Sequence, residues 1–178
     1  ARHLTQVHGD RFRLTALLRA EGVPLLIHQP SYNILNRWVE HDGLKDTLAE
    51  LGLGSIAFTP LAQGILTKKY LGGIPQGSRA AQGKSLDPAT ITESALASVR
   101  ALDALAQKRG QTLAQMSLAW VLRNGGITSA LIGASRPEQV VDCAGAVANL
   151  DFTADELAQI DRIAREEDIN LWAQSSAS

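Results

Sequence analysis

Pro24-Leu25-Leu26-Ile27-His28-Gln29-Pro30-Ser31-Tyr32-Asn33 is the stretch that decides the fold. Leu25–Ile27 is wholly apolar, too short for a helix, and runs straight into polar residues. Such a run reads as a strand buried on both faces, the mark of a parallel sheet. Ser55-Ile56-Ala57-Phe58 repeats the pattern and ends at Thr59-Pro60, and Thr128-Ser129-Ala130-Leu131-Ile132 repeats it again.

Helical segments lie between and around these runs. Residues 10–21 place Leu14, Leu17 and Leu18 on one helical face, with Gly22 and Pro24 as the stop. Leu35–Val39 and Leu44–Leu51 read as two short helices. Thr90-x-x-Glu93 predicts a capping box for a helix running to about Lys108 and closed by Gly110. Thr112-x-x-Gln115 predicts another, and the helix behind it is apolar nearly all round from Leu113 to Leu122, so it should be sandwiched. Ser135-x-x-Glu138 predicts a capped helix to about Val147. Phe152, Thr153, Glu156 and Leu157 predict a capping box with a hydrophobic staple, and Leu157, Ile160 and Ile163 the buried stripe behind it. Strands alternating with helices imply an α/β fold with parallel pairing. Ligands in such folds bind at the carboxyl ends of the strands, here just after residues 28, 58 and 132.

Composition narrows the class. With 178 residues, 45% hydrophobic and 20% charged, the chain is ordinary globular protein. Seventeen basic against 18 acidic residues leave a net charge of −1, which argues against a general nucleic-acid or anionic-membrane binder. The single cysteine, Cys143, excludes an internal disulfide framework and suits a reducing cytoplasm, the expected location. No apolar run reaches the ~18 residues of a membrane span, and no His, Cys, Asp or Glu cluster has metal-ligand spacing.

Each strand end carries polar chemistry. After the first come His28, Gln29, Ser31, Tyr32 and Asn33. A Gln amide there can donate and accept at once, and the plainer role for the group is to cap the next short helix. After the second, residues 51–86 hold seven glycines, no Asp or Glu, and the four cations Lys68, Lys69, Arg79 and Lys84. A loop closing over a polyanion needs this composition; a solvated loop could also have it. After the third stands Gly133-Ala134-Ser135-Arg136-Pro137-Glu138-Gln139. A helix start behind a strand offers free N–H groups and a positive dipole end to an anion. Two such features together favour a nucleotide or sugar phosphate. Reacting groups are scarcer: His3 and His8 lie in a patternless start, His41 in a polar turn, and Cys143 in mid-helix.

Three ordered motifs resemble the C-terminal half of an aldo-keto reductase. They are residues 24–37, Ile56-Ala-Phe-Thr-Pro-Leu-Ala-Gln-Gly-Ile-Leu-Thr-Lys-Lys-Tyr70 and Leu131-Ile-Gly-Ala-Ser-Arg-Pro-Glu-Gln139. The likeness covers about residues 10–173 and points to the branch of bacterial L-glyceraldehyde 3-phosphate reductases and potassium-channel beta subunits. It implies a partial TIM (β/α)8 barrel, with strands six to eight at Leu25–Ile27, Ile56–Phe58 and Ala130–Ile132. It also implies NADPH/NADP+ as cofactor. Gln29 would hold the nicotinamide carboxamide. Thr59, Pro60, Leu61, Gln63 and Gly64 would line the pyrophosphate path. Lys69 and Arg79 would come from the covering loop. Gly133, Ser135, Arg136 and Gln139 would meet the adenosine 2′-phosphate end, and Asp142 the adenine. Phe58, Gly77 and Cys143 depart from the channel-subunit pattern, and the resemblance of Thr59-Pro60-Leu61-Ala62-Gln63-Gly64 to the glyceraldehyde-phosphate type favours that subgroup.

The family's catalytic Asp, Tyr, Lys and His match no position here. The resemblance therefore implies residues 1–178 as one incomplete barrel domain, inactive alone, from a reductase of small aldehydes such as glyceraldehyde 3-phosphate. The alternatives are a non-catalytic NADP-binding regulatory subunit and an inactive remnant. The expected partners are a small carbonyl substrate and a second copy or a missing N-terminal half, because three barrel strands leave two open edges.

Overall fold

A computed structural model describes residues 13–41, 43–83 and 86–164. His3, His8, Lys84 and the closing Asn170-Leu171-Trp172 lie outside the described residues. Helix α1 spans 13–20, followed by β1 (Ile27–His28), α2 (Trp38–His41), α3 (Leu44–Leu51) and β2 (Gly54–Ala57). A long connection with two 3-10 turns leads to α4 (Arg79–Gln82), α5 (Glu93–Lys108) and α6 (Leu113–Leu122). Then come β3 (Ser129–Ala130), α7 (Pro137–Ala144) and α8 (Ala154–Ile163). No described helix is long and apolar enough to cross a membrane.

The sheet is parallel, with β2 between β1 and β3. Ile27 faces Gly54 and Ile56 faces Ser129. The regular strands are shorter than the apolar runs, but backbone bonds continue the pairing. Phe58 N–H donates to the Pro30 carbonyl at 2.9 Å, and Tyr32 N–H to the Phe58 carbonyl at 3.3 Å. Thr128 and Leu131 donate to Ser55 and Ala57 on either side of β3.

The expectation of strands buried on both faces does not hold: in β2, Ser55 and Ala57 are buried on one face while Gly54 and Ile56 on the other are half-buried. Leu26 is 69% exposed and Leu131 53%. The reason is position: β1 and β3 are the edges of this sheet. Leu14 and Leu17 on α1 are likewise more than half exposed, and only Thr15 is buried there.

The core sits around α6. Eight of its ten residues are buried, as its all-round apolarity predicts, and it packs against α5, α7 and β3. Thr112 and Gln115 form its capping box, and Thr153 and Glu156 form that of α8. Arg109, at the end of α5, clamps the start of α8. It pairs with Glu156 at 2.7 Å, donates to the Asp151 carbonyl at 2.8 Å and lies 3.7 Å over the Phe152 ring.

Two caps differ from expectation. Thr92, not Thr90, caps α5 by accepting from Ala95 N–H, because residues 88–90 form a separate 3-10 turn led by Pro88 and capped by Asp87. Ser135 and Glu138 form no box: Pro137 occupies the first turn of α7, its ring suiting a position that needs no N–H, which makes Arg136 the N-cap residue.

Candidate functional site

The turn after β2 is the most constrained backbone described. Thr59 (φ 53°), Ala62 (φ 47°), Gln63 (φ 58°) and Gly64 (φ 98°) all adopt left-handed conformations. A β-branched residue such as Thr59 is rarely found there, and each non-glycine costs about 1–3 kcal/mol. Strain of this kind collects at functional sites and persists only where the surroundings enforce it.

The enforcement comes from the polar patch after β1. Asn33 Nδ2 donates to the Thr59 carbonyl at 2.9 Å, and Ser31 Oγ lies 3.0 Å from Thr59 Oγ1. Asn33 Oδ1 accepts from Leu35 N–H at 2.9 Å, which sets the amide's orientation. Asn36 Nδ2 donates to Ser31 Oγ at 3.1 Å, and Trp38 Nε1 to the Ser31 carbonyl at 2.9 Å. Ser31, Asn33 and Asn36 are all buried. The patch thus reaches across to the next strand's loop, where a helix-capping role was expected. The signal was present in the sequence: three amide or hydroxyl residues beside a strand end, with no water to satisfy them once buried.

The connection after β2 folds back on the strand ends. A Cβ on Gly64 would lie 3.7 Å from Lys69 Cδ and 3.7 Å from a Tyr70 ring carbon, so the Lys69 stem runs beside that glycine. Lys69 Nζ sits 5.7 Å from the Tyr70 ring centroid. Arg79 Nη2 lies 3.8 Å from where a Cβ on Gly133 would stand, which joins this connection to the turn after β3. Lys68 points elsewhere and pairs with Asp103 of α5 at 3.2 Å.

The remaining expected positions divide. Gln29, Gly133, Ser135 and Arg136 are exposed, Leu61 is half-buried, and Pro60 and Gln63 are buried. Ser135 presents its N–H and hydroxyl to Gln139 Oε1, at 2.8 and 3.3 Å. Asp142 faces α6: its carboxylate accepts from Gln115 Nε2 at 2.9 Å and Thr112 Oγ1 at 3.2 Å. Burial, with the neighbouring Asp142 carboxylate, pushes the Cys143 thiol up and keeps it protonated.

Beneath the β1 turn lies a second network that sequence reading missed. Tyr32 O–H donates to Glu40 at 2.6 Å, Arg123 bonds both at 2.9 and 2.6 Å, and its guanidinium stacks 3.6 Å over the buried Trp120 ring. Arg37 approaches the same ring at 4.7 Å. Burial pushes the Tyr32 phenol far up. Burial alone would also raise Glu40, but the Tyr32 hydrogen bond and Arg123 outweigh it and hold that carboxyl below its ordinary range. Tyr32 is fully buried and its proton is committed to Glu40, so it is a structural tyrosine.

Residues 10–165 match the aldo/keto reductase family. An L-glyceraldehyde 3-phosphate reductase of Escherichia coli strain K12 is 53% identical over 168 residues, covering 92% of this chain and 49% of that protein. A Schizosaccharomyces pombe protein provisionally named a voltage-gated potassium channel subunit beta is 37% identical over 142 residues, 76% of this chain and 41% of its own length. The chain spans about half the length of the curated relatives it matches. Its sequence motifs, its parallel sheet and these likenesses show that the chain belongs to the aldo/keto reductase family.

Proposed function

We propose that this chain carries the NADP(H)-facing closing strands of an aldo/keto reductase barrel, and that the whole protein reduces small aldehydes, glyceraldehyde 3-phosphate among them. The observation that carries the reading is the approach of Arg79 to Gly133. A guanidinium from the covering connection stands beside a glycine at the third strand end, in the setting that a phosphate of a bound dinucleotide requires.

The residues fit such a group. Arg79, Arg136 and Ser135 would meet the 2′-phosphate end, with Gly133 leaving room for it. Thr59, Pro60, Leu61, Gln63 and Gly64 would follow the pyrophosphate, with Lys69 beside Gly64. Gln29, exposed after β1, would take the carboxamide. Gln139 and Asp142 already hold partners within the chain, so they would act by shaping the turn or by exchanging those partners. When bound, the cofactor supplies hydride; this chain's residues bind and orient it. The proton donor would come from strands outside this sequence. The chain is then one incomplete barrel domain of a cytoplasmic enzyme, without turnover alone.

Fluorescence titration tests the reading. NADPH should bind, and NADH, which lacks the 2′-phosphate, should bind at least about tenfold more weakly. Arg79→Ala should remove most of that preference. Equal affinity for both dinucleotides, or no binding at millimolar NADPH, would overturn the assignment. Likeness to a channel subunit supports a second, non-catalytic reading. Aldehyde-dependent NADPH oxidation by this chain joined to an upstream half would decide between them.

A further inference from the structure

The left-handed turn after β2 needs an external hold, because its own bonds do not explain its conformation. Within it, Ala62 N–H donates to the Thr59 carbonyl at 2.9 Å, and Leu66 N–H to the Leu61 carbonyl at 3.2 Å. Those bonds close the turn but leave Thr59 at φ 53°, which a β-branched residue avoids. The Thr59 carbonyl and hydroxyl are the two groups that Asn33 and Ser31 seize. Asn33 is 2% exposed and cannot swing away, since Leu35 N–H holds its other amide atom. Ser31 is held in turn by Asn36 and Trp38.

We infer that Asn33, with Ser31 behind it, is a positioning residue that locks Thr59 in the left-handed region and so presets the 59–64 turn for its ligand. The two residues act through Thr59 and touch no reacting atom. Presetting matters because a turn that is already ordered binds without a further ordering cost. The inference rests on the cofactor reading only for what the turn receives; the clasp itself can be tested without it.

Asn33→Asp isolates the interaction. The side chain keeps an oxygen for Leu35 N–H, keeps its size, and loses the donor to the Thr59 carbonyl. Thr59→Gly is its counterpart, because glycine adopts φ 53° freely. Amide exchange is read first. Asn33→Asp should speed exchange at Ala62 and Leu66 by about tenfold, while Met116 in α6 stays unchanged. Adding Thr59→Gly should restore most of the protection. NADPH affinity should fall and recover in the same order. Loop amides that do not respond, a response shared equally by Met116, or no recovery in the double variant would each overturn the inference. Should wild-type chain fail to bind NADPH, the cofactor reading falls, and the exchange pattern still decides for or against the clasp.

Discussion

Arg123→Ala should be among the most damaging single substitutions in this chain, and its cost should depend on pH. Arg123 bonds Glu40 at 2.6 Å and Tyr32 at 2.9 Å, donates to the Trp120 carbonyl at 2.6 Å and covers the Trp120 ring. Removing one partner of a buried ion pair costs about 3–5 kcal/mol. The Arg123 and Glu40 side chains keep 13% and 22% of their exposure, and Lys45 stays 3.9 Å from Glu40. Solvent and Lys45 therefore reduce the electrostatic part to about 2–3 kcal/mol. Loss of the guanidinium from the Trp120 face adds about 1 kcal/mol. Glu40 is depressed in the folded chain. Its stabilising effect is thus complete above the unfolded carboxyl value and disappears as pH falls through the lower folded value. The Arg123→Ala penalty, read from urea unfolding, should accordingly be largest near pH 7 and shrink in acid. Pairing it with Glu40→Gln should shrink it at pH 7. A penalty below about 1 kcal/mol, or one that does not change with pH, would refute the reasoning.

Two glycines make opposite predictions. Gly145→Ala would place a Cβ 2.6 Å from Gln115 Nε2, whose side chain is pinned between Thr112 N–H and Asp142, so it should cost about 1–3 kcal/mol in denaturant unfolding. Gly126→Ala meets Lys45 Cε at 2.7 Å, the far end of a flexible side chain, and should change stability by less than about 0.5 kcal/mol. Thr153→Ala removes the α8 cap and should cost about 1 kcal/mol. Burial alone would raise Glu156, but Thr153 N–H and Arg109 outweigh it and hold it low, so the stability it adds is complete above its unfolded value and is lost as pH falls through the lower folded one. With Leu26, Ile27 and Leu131 more than half exposed, the isolated chain should self-associate or melt broadly; a monomer with a sharp high-temperature transition in light scattering and calorimetry would contradict this.

The alternation of apolar runs and capped helices was legible because each obeys a local rule. Thr112–Gln115 and Thr153–Glu156 close their boxes as written, and α6 is buried on nearly every side, as its composition demands. What local rules could not give was the environment. Leu26 and Leu131 look like core residues in sequence and stand exposed because burial depends on what covers a face. The α7 box failed because Pro137 takes the first helical position and leaves Arg136, not Ser135, as the N-cap. Of the four cations singled out in the connection after β2, Lys69 stands beside Gly64 and Arg79 beside Gly133, while Lys68 pairs with Asp103; the supports of the turn were not legible. Ser31, Asn33 and Thr59 meet only because β1 and β2 align in parallel, a pairing that lies 26 to 28 residues apart in the chain. Arg123 is more distant still, 83 residues from Glu40 and 91 from Tyr32.

The parallel alignment also carries a consequence for how the chain assembles. Gly54 faces a residue 27 positions earlier, while Ser129 faces one 73 positions earlier. Closing the shorter span costs less chain entropy, by about 0.9 kcal/mol on loop-length scaling. The strained turn and its clasp thus belong to the segment that is cheapest to close, and the glycine beside Arg79 arrives on the more expensive one. A searching chain can complete the most demanding piece of backbone geometry before its last strand is in place.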